Sequence, residues 1–197
     1  MYFPSDMNFQ YFFFSTYIGY FLQMVPIALL TCVGFTIYKK RRESDRPLWS
    51  AVLMSLFPAY LLSLIGLTLF SQMIGDAYYI LFYHQMPWPE GEGGYQWLSL
   101  IYDFKLDFFR DFSPENLGNI ILFLPFGILY PLFRPGSTWR RTLALGIVTS
   151  LVIENIQPLM DRSFDINDLV LNTIGVAVST AVFFFLRGLL GRKGDKD

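Results

Sequence analysis

The stretches whose reading decides the fold are SPENLGNIILFLPFGILYPLF (113–133), TLALGIVTSLVIENIQPL (142–159) and DLVLNTIGVAVSTAVFFFL (168–186). Each approaches the ~20 apolar residues that cross a hydrocarbon core, yet each carries polar side chains that a bilayer penalises. Asn116 and Asn119 are spaced i, i+3, as are Glu154 and Gln157, while Asp168 and Asn172 are spaced i, i+4. Each pair therefore shares one helix face. If the three helices alternate in direction, Glu115–Asn119, Glu154–Gln157 and Asp168–Asn172 fall at one end of a bundle. One polar site built from three helices is expected there.

Composition agrees with a membrane setting. The 197 residues are 53% hydrophobic and 16% charged, with mean hydropathy +0.39, whereas a soluble domain has about 25% charged residues. Two further apolar runs precede the decisive stretches: about Phe12–Tyr38 with Pro26 inside, and about Leu48–Ile74 with Pro58 inside. The expected fold is all-α, a polytopic membrane bundle of five transmembrane helices. Four would follow if one span is re-entrant, and six if Gly75–Asp111 hides another. No Lys or Arg precedes Lys39 and no small-residue cleavage pattern follows the first run, so the first helix is expected to stay in the mature protein. The chain divides into two N-terminal helices (1–75), a loop (76–112), a three-helix core (113–187) and a tail (188–197).

Orientation comes from the basic residues, which are enriched in cytoplasmic loops. With Lys39–Arg46 inside and five alternating helices, all of the 15 Lys and Arg except Lys105, Arg110 and Arg162 fall inside. The N-terminus is then outside, the C-terminus is cytoplasmic, and the polar site opens outward. In the outer loop, Met86–Gly94 has two prolines and three glycines and reads as turns. Trp97, Ile101, Phe104, Phe108 and Phe112 form a helical stripe opposite Asp103, Asp107 and Arg110. That pattern predicts an amphipathic helix over Trp97–Phe112, either lying in the membrane interface or packed on the bundle as a lid.

Several polar residues have a structural explanation beside the functional one. Ser113-Pro114 is a helix start, and Glu115 suits the positive end of the helix dipole. Asp165-Ile166-Asn167-Asp168 resembles a capping arrangement. Asn119 and Asn172 serve equally as interhelical hydrogen-bonding groups or as site lining. Glu154 has no cap to justify it, and an ionised carboxylate inside a span costs roughly 3 kcal/mol. It must therefore be neutral or face a wet cavity with a partner. Pro158 has no N–H to offer the Glu154 carbonyl, which opens the helix at that level. Arg162 is the natural counter-charge or anion contact. Pro125 frees the Ile121 carbonyl, and Gly127 lets another helix approach closely.

Asn116-x-x-Asn119-x-x-Leu122-Phe123-x-Pro125-Phe126-Gly127, Glu154-x-x-Gln157 and Arg162-x-x-Asp165-x-x-Asp168-x-x-x-Asn172-x-x-Gly175 together resemble the VanZ-like family. Its members are small bacterial membrane proteins named for one involved in resistance to the glycopeptide teicoplanin. The resemblance covers about residues 100–187 and includes no motif in the first two spans. It implies a bacterial cell-membrane protein tied to the envelope or its precursors, with no settled reaction.

Three functional readings follow. In an enzyme acting on a cell-envelope amphiphile, Glu154 and Asp168 are the candidate acid and base, and Arg162 holds a phosphate or carboxylate. The polar stretches contain no His and no Ser or Cys nucleophile with a base at motif spacing, so whether catalysis occurs stays open. In a binding, transport or assembly factor, Asn116, Asn119, Gln157, Arg162, Asp165 and Asn172 line a slot for a lipid or lipid-linked head group. In a structural bundle the same residues only lock helices together. Lone Cys32 and lone His84 offer no disulfide or zinc pattern. A hard cation on Asp165, Asp168 and Glu154 is chemically possible, but no metal or cofactor is expected. Membrane lipids or a lipid-linked precursor are the expected partners, not nucleic acid.

Overall fold

The structure, a computed structural model, describes residues 8–87, 98–110 and 112–193. A short helix α1 (Phe9–Ser15) leads into α2 (Tyr17–Arg42), followed by α3 (Leu48–Leu69), α4 (Ser71–Tyr83), α5 (Pro114–Phe133), α6 (Trp139–Ile156) and α7 (Ile166–Lys193). Five stretches are long and apolar enough to cross a membrane: α2, α3, α5, α6 with its extension to Met160, and α7 as far as Leu190. This is an all-α, multi-pass membrane bundle.

Its helix starts follow from local chemistry. Thr16 accepts a hydrogen bond from the Gly19 N–H and so begins α2, which is why the apolar run from Phe12 breaks in two. Ser113 caps α5 by accepting from the Asn116 N–H, with Pro114 at the first helical position, as expected. The second apolar run also divides, with α3 ending at Leu69 and α4 continuing in a new direction after Phe70. Rings of α1 then pack on α4, Phe13 against Tyr78 and Phe82, and Phe14 against Tyr79.

The core lies between α3, α5, α6 and α7, where Phe57, Leu64, Phe123, Phe126, Tyr130, Ile153 and Val176 form one buried cluster. Chain order suggests α5–α6 and α6–α7 as neighbours. The most extensive contact is instead α5 with α7, two parallel helices that are not consecutive. Small residues permit it. A Cβ on Gly127 would overlap Ser179 and Thr180, and one on Gly175 would overlap the Ile120 carbonyl, so both positions need glycine for this approach.

The amphipathic helix expected over Trp97–Phe112 is not formed. Trp97 and Asp111 lie outside the described residues, as does most of the turn-rich Met86–Gly94, and residues 98–110 contain no helix. They form an extended strap. Leu98 and Leu100 have positive φ, and β1 (Tyr102–Asp103) pairs in parallel with β2 (Phe164–Asp165). Backbone groups that a helix would satisfy internally are taken by distant partners: Phe164 N–H donates to the Ile101 carbonyl, and Asn167 Oδ1 accepts from the Asp107 and Phe108 N–H groups. Among the described residues the helix before the third span is α4, 13 residues long.

Candidate functional site

The alternation of the five spans brings the start of α2, the end of α3, the start of α5, the end of α6 and the start of α7 to one end of the bundle. A cavity of about 450 Å³ lies there. Its lining includes Asn116, Asn119, Glu154, Gln157, Arg162, Asp165, Asp168 and Asn172, all eight of the residues singled out by spacing. Tyr17, Tyr20 and Phe21 of α2, Thr68 of α3 and Ser71 of α4 complete the wall. The opposite end carries Lys39–Arg42, Arg134, Arg140, Arg141 and Arg187, at or next to the other ends of the same helices.

Pro158 shapes the floor of this cavity. Without its N–H, α6 stops at Ile156 and tightens into a 3-10 turn over Gln157–Met160. Asp161 then takes a left-handed conformation, φ 57°, and the chain reverses so that Arg162 returns toward the bundle. The Arg162 N–H donates to the Gln157 carbonyl, and its Nη1 donates to the Thr68 carbonyl at 2.9 Å. Among the described residues no carboxylate forms an ion pair with Arg162.

Three helices are tied together at this level. Asn119 Nδ2 donates to Asp168 Oδ1, joining α5 to α7. Asn172 Nδ2 donates to Ser150 Oγ at 3.0 Å and more weakly to Glu154 Oε1 at 3.4 Å, joining α7 to α6. Glu154 is 1% exposed, and its second oxygen faces the Asp165 N–H at 3.5 Å. Its charged neighbours are Asp168, Arg162 and Asp165. At the mouth, Tyr17 donates to Glu115 Oε1 at 3.3 Å. Asp165 also performs the capping role suggested for it, since its Oδ1 accepts from the Asn167 N–H at 2.7 Å.

The cavity thus sets four carboxylates against one guanidinium, beside aromatic and aliphatic walls. It can bind a polar group, and Glu154, buried, and Asp168, partly buried, are carboxyl groups able to give or take a proton. Among the described residues no three His, Cys, Asp or Glu side chains converge as a metal-binding set.

Spacing arguments did not reach the α2 aromatics, Thr68, Ser150 or Asn167. The first carry no polar periodicity. Asn167 read as part of a cap, whereas its side chain clasps the strap, donating to the Lys105 carbonyl at 3.0 Å. Ser99 anchors the other end of the strap through the Pro158 and Arg162 carbonyls.

A family model described as VanZ/LLP1 matches residues 57–187. The chain belongs to the VanZ/LLP1 family. The matched region begins within α3, well upstream of the motifs quoted above, and contains every cavity residue except the aromatics Tyr17, Tyr20 and Phe21. The VanZ/LLP1 portion thus supplies the charged groups, and α2 adds an aromatic wall from outside it. No curated protein and no solved structure matches the chain.

Proposed function

We propose that this VanZ/LLP1 protein sits in the bacterial cell membrane and receives the head group of an envelope lipid or lipid-linked precursor in the acidic cavity. The proposed orientation has the N-terminus and the cavity outside and the C-terminus in the cytoplasm, in keeping with the basic residues. The observation that carries the reading is a cavity whose polar floor, Glu154, Asn172 and Asp168, adjoins apolar walls from Phe21, Leu67 and Leu122. That combination suits an amphiphile, with its head inside and its chain toward the bilayer. If a bond is made or broken, Glu154 and Asp168 are the groups that move the proton, and a link to glycopeptide resistance would follow from a lipid-linked precursor as the occupant.

The test is Glu154→Gln with Asp168→Asn, comparing membrane levels and the lipids that co-purify, identified by mass spectrometry. Unchanged levels with lost co-purifying lipid support a binding site. Reduced levels with no lipid in the wild-type protein support a second reading, favoured by the Asn119–Asp168 and Asn172–Ser150 hydrogen bonds, in which the polar groups only lock helices. Cysteines placed at Asp103 and Gly136 on a Cys32→Ser background test orientation, and external labelling at Gly136 would reverse it. Glycopeptide susceptibility of a strain lacking the protein tests the link to resistance.

A further inference from the structure

We propose that the head group held in this cavity is cationic, a primary ammonium carried on an amphiphile. The inference rests on the head-group reading above and specifies its chemistry. Its first support is charge. Glu115, Glu154, Asp165 and Asp168 face the same space as a single cation, Arg162, whose Nη1 is already engaged by the Thr68 carbonyl. Even with the buried Glu154 neutral, Glu115, Asp165 and Asp168 outnumber the one guanidinium, so an anionic head group would enter against this excess and a cationic one with it.

The second support is hydrogen-bonding capacity. Three donors deep in the cavity or at its mouth are spent on its own acceptors: Asn119 Nδ2 on Asp168, Asn172 Nδ2 on Ser150 and Glu154, and the Tyr17 hydroxyl on Glu115. Asn172 is 3% exposed, and its Oδ1 has no partner. A buried acceptor without a donor is costly, and a ligand N–H supplies the missing bond.

The third support is the wall outside the VanZ/LLP1 match. Tyr17, Tyr20 and Phe21 stand beside Glu115, and aromatic rings next to a carboxylate are the pairing that holds an ammonium. Two features at this end of the bundle oppose the idea without reversing it. The starts of α2, α5 and α7 bring positive dipole ends, but Thr16, Ser113 and Asp165 side chains already accept from N–H groups there. Lys105 on the strap is paired with Asp107 at 2.9 Å.

The experiment is native mass spectrometry of the purified full chain, delipidated in detergent and offered phosphatidylethanolamine, phosphatidylcholine and phosphatidylglycerol with identical acyl chains. All three carry the same phosphodiester, so Arg162 meets one group throughout. The expected result is about tenfold preference for phosphatidylethanolamine over phosphatidylglycerol, the value of one charge-assisted hydrogen bond. Phosphatidylcholine should fall between, because its quaternary ammonium has no N–H. Both Asp168→Asn and Glu115→Gln should shrink the preference, and the second lies at the exposed mouth, where folding is not at stake. Equal binding of the three lipids, or preference for phosphatidylglycerol, overturns the ammonium assignment and leaves the head-group reading standing. A preference untouched by either variant assigns the ammonium elsewhere and overturns it equally. Retention of no lipid at all removes both.

Discussion

Two polar neighbourhoods lie within this bundle, and they handle their hydrogen-bonding groups differently. Between α2 and α3, Thr36 donates to Ser55 Oγ at 3.1 Å, Ser55 donates to the Val52 carbonyl at 2.7 Å, and Cys32 Sγ stands 2.9 Å from Ser55 Oγ. These groups are small and neutral, and they satisfy one another. Between α5, α6 and α7 the groups are carboxylates and amides, they line a cavity, and at Asn172 an acceptor is left over. Polar residues in a span do not by themselves mark a site, and what sets the second neighbourhood apart is unused capacity beside a cavity.

The largest expected effect tests what holds the second neighbourhood together. Gly175→Leu forces a side chain into the Ile120 carbonyl and should cost about 3 kcal/mol, as overpacking does. Gly34→Leu on α2, where nothing stands within 4 Å of the new Cβ, should change stability by no more than about 0.5 kcal/mol. Thermal unfolding of the two variants in detergent measures the difference, and equal losses would mean that the α5–α7 approach does not govern stability.

Next in size is the exchange of one polar group in each neighbourhood. Glu154→Gln should leave the fold intact and lower retention of co-purified lipid about tenfold, the loss expected when a hydrogen bond to a charged group is removed. Ser55→Ala should do the opposite, costing about 0.6 kcal/mol of stability while lipid retention stays at the wild-type level. If both variants behave alike, the distinction between lock and site fails.

Releasing the strap is a smaller perturbation. Asn167→Ala removes the acceptor for the Asp107 and Phe108 N–H groups, at a cost of about 1 kcal/mol. Deuterium uptake should rise over residues 105–108 and stay unchanged in the α2–α3 pair. Uptake that does not rise would show that the β1–β2 pairing alone holds the strap.

The smallest effect concerns a carboxylate outside both neighbourhoods. Glu43, in the turn between α2 and α3, is held below the usual glutamate range by its hydrogen bonds to Arg46 and Lys39. A lowered folded-state value means that its stabilisation is complete above the unfolded value of about 4.3 and is lost as pH falls through the folded one. Because the Glu43 side chain is 36% exposed and its ion pairs are screened by solvent, the melting temperature should drop only slightly on acidification below about pH 4. Glu43→Gln should abolish that drop. A large acid transition surviving in the variant would point to the cavity carboxylates instead.

Much of this was legible in the residues. Hydropathy over 113–133, 142–159 and 168–186 marks three spans, Ser113-Pro114 marks the start of α5, and Pro158 marks the opening below Glu154. The strap shows where such reading fails. Ile101, Phe104 and Phe108 repeat with helical spacing, yet the segment is extended because Phe164 and Asn167, about sixty residues later, capture its backbone. Periodicity reports what a helix would bury and is silent on a competing partner elsewhere in the chain.

The sequence by itself determined the five spans, the alternation that collects the polar pairs at one end, and the identity of the eight polar residues there. All of these depend on local quantities: run length, hydropathy and a spacing of three or four residues. Only the tertiary structure decided that α5 lies against α7, that aromatic residues of α2 close the cavity, and which polar atoms are spent and which remain free. Asn119 meets Asp168 across 49 residues, and Arg162 meets Thr68 across 94. Such pairings depend on how the helices are packed side by side, and no local pattern encodes them.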